Sequence, residues 1–235
     1  MKIAILMTNT DDSDFAHKHP LNGETWRTYL QPKRPDWSFT TFSVKDGEFP
    51  DDISQFDGWI VTGSPASVND EDAWIATLLD LLKDIAAKKT PLFGACFGHQ
   101  AIAKALGGTV APNPEGWVLG SIEMEAIARP PWMEAKRFWQ YGAHSEQVTI
   151  PPDEAQVILR HSSCPVAGIA VENHIFTTQN HPEFGHDFIP LLIDELSNIC
   201  PDKTIDAARL SLPLSADNGI FSDFIIRFFE LDRDA

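Results

Sequence analysis

The chain has 235 residues, enough to bury a sizeable core without disulfide or metal staples. It carries 34 acidic against 18 basic residues, a net charge of −16, which argues against nucleic acid or an anionic membrane surface as a partner, since phosphate binding needs clustered Lys and Arg; the acidity reads as solubility. No apolar run approaches the ~18 residues that span a bilayer, no basic-then-apolar leader opens the chain, and three cysteines without metal-type pairing fit a reducing, cytoplasmic setting.

Ile3 to Met7 reads as a first strand. Asn9 to Leu30 reads as the loop after it, with Asp11, Asp12 and Asp14, and should reach the edge where ligands bind; it either shapes a substrate pocket or is a solvated surface loop. Asp57 to Thr62 is a second apolar run, followed by the turn Thr62-Gly63-Ser64-Pro65. Glu71 to Lys88 has Trp74, Leu78, Leu81, Leu82 and Ile85 at helical spacing, with Asn69 or Asp70 as candidate cap. Leu92-Phe93 leads into Gly94-Ala95-Cys96-Phe97-Gly98-His99-Gln100, and a helix follows until Gly107-Gly108 stops it. From Thr109 to Val171 the pattern is strand-like, broken by turns at Pro112-Asn113-Pro114 and Pro151-Pro152. His174 to Gln179 runs into Asn180-His181-Pro182-Glu183-Phe184, and helices are expected over Asp187–Ile199 and Asp217–Leu231. The last carries Phe221, Phe224, Ile225, Phe228 and Phe229, a stripe that is core or the face of a homodimer. No repeat or linker appears, so residues 1–235 read as one domain. Strands followed by crossover helices imply an α/β open sheet.

Two of these segments carry chemistry. Glycines two residues before and after Cys96 let the backbone turn sharply between strand and helix and thrust the middle side chain outward, the geometry of a nucleophile elbow. A cysteine at a helix N-terminus sits at the positive end of the dipole, which favours the reactive thiolate. Such a nucleophile needs a base that moves its proton, and the base needs an acceptor on its other ring nitrogen. His181 with Glu183 two residues on supplies that pair, both on one side of an extended segment. Cys164 and Cys200 read as structural, and so does His99. His17-x-His19, and His181 with His186, lack the further ligands of a closed zinc site, so neither metal nor other cofactor is expected.

Gly-Ala-Cys-Phe-Gly-His-Gln followed by Asn-His-Pro-Glu resembles the class I, or triad, glutamine amidotransferases, and is most similar to stand-alone members like the amidotransferase part of GMP synthetase. The likeness extends over the first strand, Trp59 to Pro65, Tyr141-Gly142-Ala143-His144-Ser145 and the His-Pro-Glu motif. It implies a flavodoxin-like, doubly wound, mostly parallel sheet with helices on both faces. It also implies that Cys96 attacks the side-chain amide of glutamine, that His181 protonates the leaving ammonia, and that water hydrolyses the thioester. The oxyanion would be held by the Phe97 amide and by Gly63 or Ser64; relatives often have glycine where this chain has Ser64, but a backbone donor needs no particular side chain. Gln100, which could otherwise be a polar residue on the helix surface, would contact substrate. The backbone of His144, Ser145 and Glu146 would hold its amino and carboxylate ends, although many relatives have an apolar residue in place of Glu146.

Three functions stay open at this point. One is a glutaminase passing ammonia to a separate synthetase subunit. The second is a γ-glutamyl peptidase or hydrolase, brought nearly level with the first by the lack of a Gly-rich phosphate loop. The third is a non-catalytic module on the same fold. The enzyme readings imply a small-molecule substrate whose γ-glutamyl end is read, and the acidic loop would disfavour anionic leaving groups.

Overall fold

The computed structural model describes residues 1–231. Five strands form a parallel layer in the order β2 (Ser38–Ser43), β1 (Lys2–Met7), β3 (Gly58–Val61), β4 (Leu92–Ala95), β11 (Ile175–Thr178). The same sheet continues antiparallel through β10 (Cys164–Val171), β9 (Gln156–His161), β6 (Val118–Ala126) and β7 (Arg137–His144), giving nine strands. A separate pair, β5 (Thr109–Pro112) and β8 (Glu146–Ile150), lies beside it. The doubly wound part expected from the sequence is the parallel half.

Strand alternation sorts the core into two layers. Ile3, Ile5, Ile60, Phe93 and Phe176 face α1 (Asn22–Leu30) and α6 (Asn218–Phe229), whereas Ala4, Leu6, Trp59, Val61, Leu92 and Ile175 face α2 (Ala73–Ala87) and α3 (Phe97–Ala105). The Phe221 to Phe229 stripe of α6 is buried in the first layer, which makes it core rather than a face for a second copy. A third cluster joins α4 (Phe188–Glu195) and α5 (Asp202–Ser211) to Leu119 and Tyr141.

Several boundaries differ from the sequence reading. α1 lies inside the segment read as a loop, and α5 was not expected. Each buries few side chains, Trp26 and Leu30 in α1, Ile205 and Ala208 in α5, so neither shows a strong apolar period. α2 begins only at Ala73, because Asn69 and Asp70 are used elsewhere: Asn69 Nδ2 donates to the Val110 carbonyl, its Oδ1 accepts from Lys104, and Asp70 accepts from the Ser67 amide. The helix at Asp187–Ile199 is shorter, ending at Glu195 and followed by a single 3-10 turn over Leu196–Asn198.

The parallel strands all end at one edge, and α3 is pressed against that edge. A Cβ on Gly98 would lie 2.3 Å from the Val61 carbonyl oxygen, and one on Gly94 2.7 Å from the Gly98 carbonyl carbon. In both cases the added Cβ would strike backbone, which cannot turn aside, so the approach exists only because neither residue has a side chain. Gly98→Ala should therefore lower the unfolding free energy by about 1–3 kcal/mol through overpacking. Urea unfolding checks this; an unchanged midpoint would rule out the close approach.

Candidate active site

β4 and β11 are adjacent and parallel, with Ala95 opposite Thr178. Cys96 follows directly on the first and His181 comes shortly after the second, so both leave the sheet at the same edge. Cys96 sits at φ +52°, ψ −110°, a strained conformation for a non-glycine residue. Two backbone bonds hold it there: its amide donates to the Thr178 carbonyl at 3.0 Å, and its carbonyl accepts from the Gln100 amide at 3.1 Å. Its sulfur lies 4.0 Å from the Ala143 carbonyl oxygen, at the N-terminus of α3.

His181 is fixed by its backbone as well as its ring. Its amide donates to the Tyr141 carbonyl at 2.8 Å, and the Tyr141 hydroxyl is bonded to His186 Nδ1 at 2.7 Å, so one tyrosine braces both ends of the segment. His181 Nδ1 is 2.8 Å from Glu183 Oε1, and both side chains are almost fully buried. The ring's other partner is the Cys96 side chain. Burial pulls the imidazole pKa down, but the Glu183 carboxylate and Cys96 outweigh it, and the net shift is upward. Phe184 stacks on the ring, centroids 4.0 Å apart and planes 3° apart.

Gly63 closes the third side. A Cβ there would meet His181 Cε1 at 2.6 Å and Cys96 Cβ at 3.6 Å. Its turn is braced by Thr8, whose amide donates to Thr62 Oγ1 and whose hydroxyl reaches the Thr62 carbonyl, both at 3.0 Å. The Ser64 hydroxyl is occupied with Thr10 Oγ1 at 3.4 Å and the Ala66 amide at 3.2 Å. The segment after β1 thus does reach the site edge, as the sequence suggested. The Phe97 side chain packs into the core against Trp74, leaving its amide in the first turn of α3.

Gln100 is buried, not on the helix surface. Its Nε2 donates to the Glu146 carbonyl at 2.9 Å and to Gln179 Oε1 at 3.2 Å, so both amide hydrogens are engaged and only its carbonyl oxygen is left for a ligand. His144 Nδ1 donates to the same Glu146 carbonyl at 2.9 Å; burial, then the nearby His161, push its pKa down to about 3, so the ring is neutral. The Ser145 carbonyl accepts from the Asn113 amide, and the Glu146 carboxylate accepts from the Ser67 hydroxyl at 2.7 Å. The structure thus brings together Cys96, His181, Glu183 and Gly63, and places Gln100 against His144–Glu146.

The remaining candidates lie apart. His99 is buried between Thr177 and the Val166 carbonyl, and burial lowers its pKa to about 4. Burial pushes the Cys164 thiol up to about 12 and raises Cys200 too, neither of which favours a nucleophile. Sequence reading missed Phe184, Tyr141 and Thr8. Phe184 adjoins the His-Pro-Glu motif and Tyr141 opens the Tyr141–Ser145 motif, so both could have been flagged by position, whereas Thr8 carries no local signal.

A thiol, an imidazole and a carboxylate thus stand together at the carboxyl edge of the parallel strands of an α/β fold. Residues 37–188 match the glutamine amidotransferase class-I family, and the chain belongs to that family. It is 30% identical to γ-glutamyl peptidase 5 of Arabidopsis thaliana over 204 residues, covering 83% of this chain and 80% of that one. It is 35% identical to a GMP synthase (glutamine-hydrolysing) of Aeropyrum pernix over 135 residues, 55% of this chain but only 24% of that protein. The fold is that of a glutamine amidotransferase from Thermotoga maritima, with a TM-score of 0.75, 19% identity, and coverage of 97% of this chain and 98% of that one.

The raised His181 pKa has a thermodynamic consequence. A folded-state value above the ordinary 6.5 contributes stability that is fully present below 6.5 and is lost as pH rises toward the folded-state value. Glu183→Gln removes a charge that raises it. The variant's unfolding free energy should therefore fall less steeply between about pH 7 and 9 than wild type's. Each tenfold weakening of proton binding at His181 removes about 1.4 kcal/mol of that pH-dependent stability. Denaturant titrations across that range test this; identical slopes would mean that Glu183 does not hold the proton on His181.

Proposed function

We propose that this protein hydrolyses the γ-amide bond of a γ-glutamyl compound, glutamine being the simplest, with Cys96 as nucleophile, His181 as base and acid, and Glu183 as the group that orients it. The observation that carries this reading is the His181 ring held 2.8 Å from Glu183 Oε1 with Cys96 as its other partner. The Cys96 thiolate attacks the γ-carbonyl and forms a tetrahedral oxyanion. In this reading the backbone amides of Phe97 and of Gly63 or Ser64 donate to that oxyanion, and one such donor contributes about 3–4 kcal/mol to the transition state. The His181 imidazolium gives its proton to the leaving nitrogen as the C–N bond breaks, leaving a thioester. His181 then takes a proton from water, which adds to the thioester and releases the γ-carboxylate and Cys96. The Gln100 carbonyl oxygen and the His144–Glu146 backbone hold the α-amino and α-carboxylate groups.

Glutamine with a separate synthetase subunit and γ-glutamyl peptides are both served by this chemistry. Coverage favours the second: the chain matches most of a γ-glutamyl peptidase but only a quarter of a GMP synthase. We further propose a single domain over 1–235 acting in the cytoplasm, where three free cysteines suit a reducing environment. Among the described residues no helix is long and apolar enough to cross a membrane.

Cys96→Ser should lower kcat by on the order of 10⁴-fold or more while leaving the fold intact. Glutamine-like affinity labels should modify Cys96 and spare Cys164 and Cys200, as peptide mapping would reveal; labelling mainly at either of the others would sink the assignment. His181→Ala should cost more activity than Glu183→Ala, since orientation contributes less than proton transfer itself. On the substrate side, kcat/KM should be high for glutamine or γ-glutamyl dipeptides and low for isoglutamine. Equal rates on the α-amide would mean that the glutamyl end is not read.

A further inference from the structure

The His181 imidazole must keep one plane through two opposite proton transfers. Its Nδ1 is bonded to Glu183 Oε1, and the Cys96 side chain is its other polar partner. Two such partners do not stop the ring from rocking about the line that joins them. A contact on the ring face does, and Phe184 supplies it, its ring parallel to the imidazole within 3° and the centroids 4.0 Å apart. Phe184 is itself held: Asn218 Nδ2 donates to its carbonyl at 2.6 Å, and Phe188 packs against it at 4.8 Å, in a T-shaped arrangement. Phe188 is backed by Phe15 at 5.8 Å and His19 at 5.0 Å, from the segment between β1 and α1.

Geometry also says which form of the imidazole this contact suits. An aromatic ring carries a quadrupole whose negative side is its face. A cation over a ring face is attracted by the same quadrupole. We propose that Phe184 is a positioning residue for the His181 base: its ring face fixes the imidazole plane and favours the imidazolium, the form beside which a thiolate is stabilised. This rests on the active-site reading above and adds a residue to it.

Four titratable groups surround the ring. Glu183 comes from its own segment, Cys96 from the start of α3, His144 from the end of β7, and Tyr29 of α1 faces Glu183. His144, with its pKa near 3, and Tyr29, pushed well above its ordinary value by burial and then by Glu183, are both neutral near pH 7. The ring's charge in the neutral range therefore answers to Glu183, Cys96 and the Phe184 face.

The test compares wild type with Phe184→Leu, Phe184→Tyr and a protein carrying pentafluorophenylalanine at position 184. The fluorinated ring keeps the size of phenylalanine and reverses its quadrupole. One readout needs no substrate: the ultraviolet thiolate absorbance as a function of pH, with Cys96→Ser subtracted. The other is the alkaline limb of kcat/KM. Phe184→Leu and the fluorinated protein should both lose thiolate signal at neutral pH and move the alkaline limb down by about 0.5–1 pH unit, and Phe184→Tyr should restore both. If Phe184→Leu fails to fold, the fluorinated protein decides alone. A lower activity with unmoved limb and unchanged thiolate signal would reduce Phe184 to a packing role and overturn the proposal. A wild-type Cys96 that gives no thiolate signal and resists alkylation would instead overturn the active-site assignment on which the proposal rests.

Discussion

The approach of one helix N-terminus to a sheet edge governs the rest of this structure. Gly94 and Gly98 have no side chains, so the backbone of α3 can lie against Val61 and β4 at distances a Cβ forbids. That proximity forces Cys96 into a positive φ, and the Thr178 and Gln100 backbone bonds hold it there. The strain is of order 1–3 kcal/mol, and it is tolerable because both neighbouring elements are rigid and buried. Its result is a buried sulfur placed where α3, the Gly63 turn and the segment after β11 meet.

Around that sulfur, burial and charge pull His181 in opposite directions. A buried imidazole ordinarily becomes neutral, as His99 and His144 do here, with values near 4 and 3. His181 differs because Glu183 is buried with it at 2.8 Å and Cys96 also interacts with its ring. The contrast among three buried histidines comes from their partners: carbonyls and a hydroxyl beside the first two, a carboxylate and a thiol beside the third. In the proposed mechanism only the third can hold a proton for a leaving group.

Two flanks of the site are built differently. On the Gln100 side, hydrogen bonds tie α3, β8 and the Ser67 turn together through Glu146, whose carbonyl accepts two donors and whose carboxylate accepts a third. That side is stiff and polar. On the other side, aromatic rings from the segment after His181 meet rings from the segment after β1, and the exposed acidic residues Asp11, Asp12 and Asp14 lie on the same stretch as Phe15. Polar bonds fix the first flank, while stacked rings shape the second.

Much of this was legible in the chain itself. The elbow, the His-Pro-Glu motif and the amphipathic periods of α2 and α6 depend on residues close in sequence, where spacing and backbone preference dictate the outcome. The same locality located Cys96, His181, Glu183 and the Gly63 turn as pieces, and apolar runs before each indicated strand ends. Tertiary structure alone decided what those pieces touch. The antiparallel half of the sheet, the weakly amphipathic α1 and α5, the use of both Gln100 hydrogens within the protein, the role of Tyr141 as a brace and the Phe184 stack all arise from contacts between distant segments. Such contacts leave little trace in local composition, because a residue that meets its partner only after the chain has folded needs no particular neighbour in sequence.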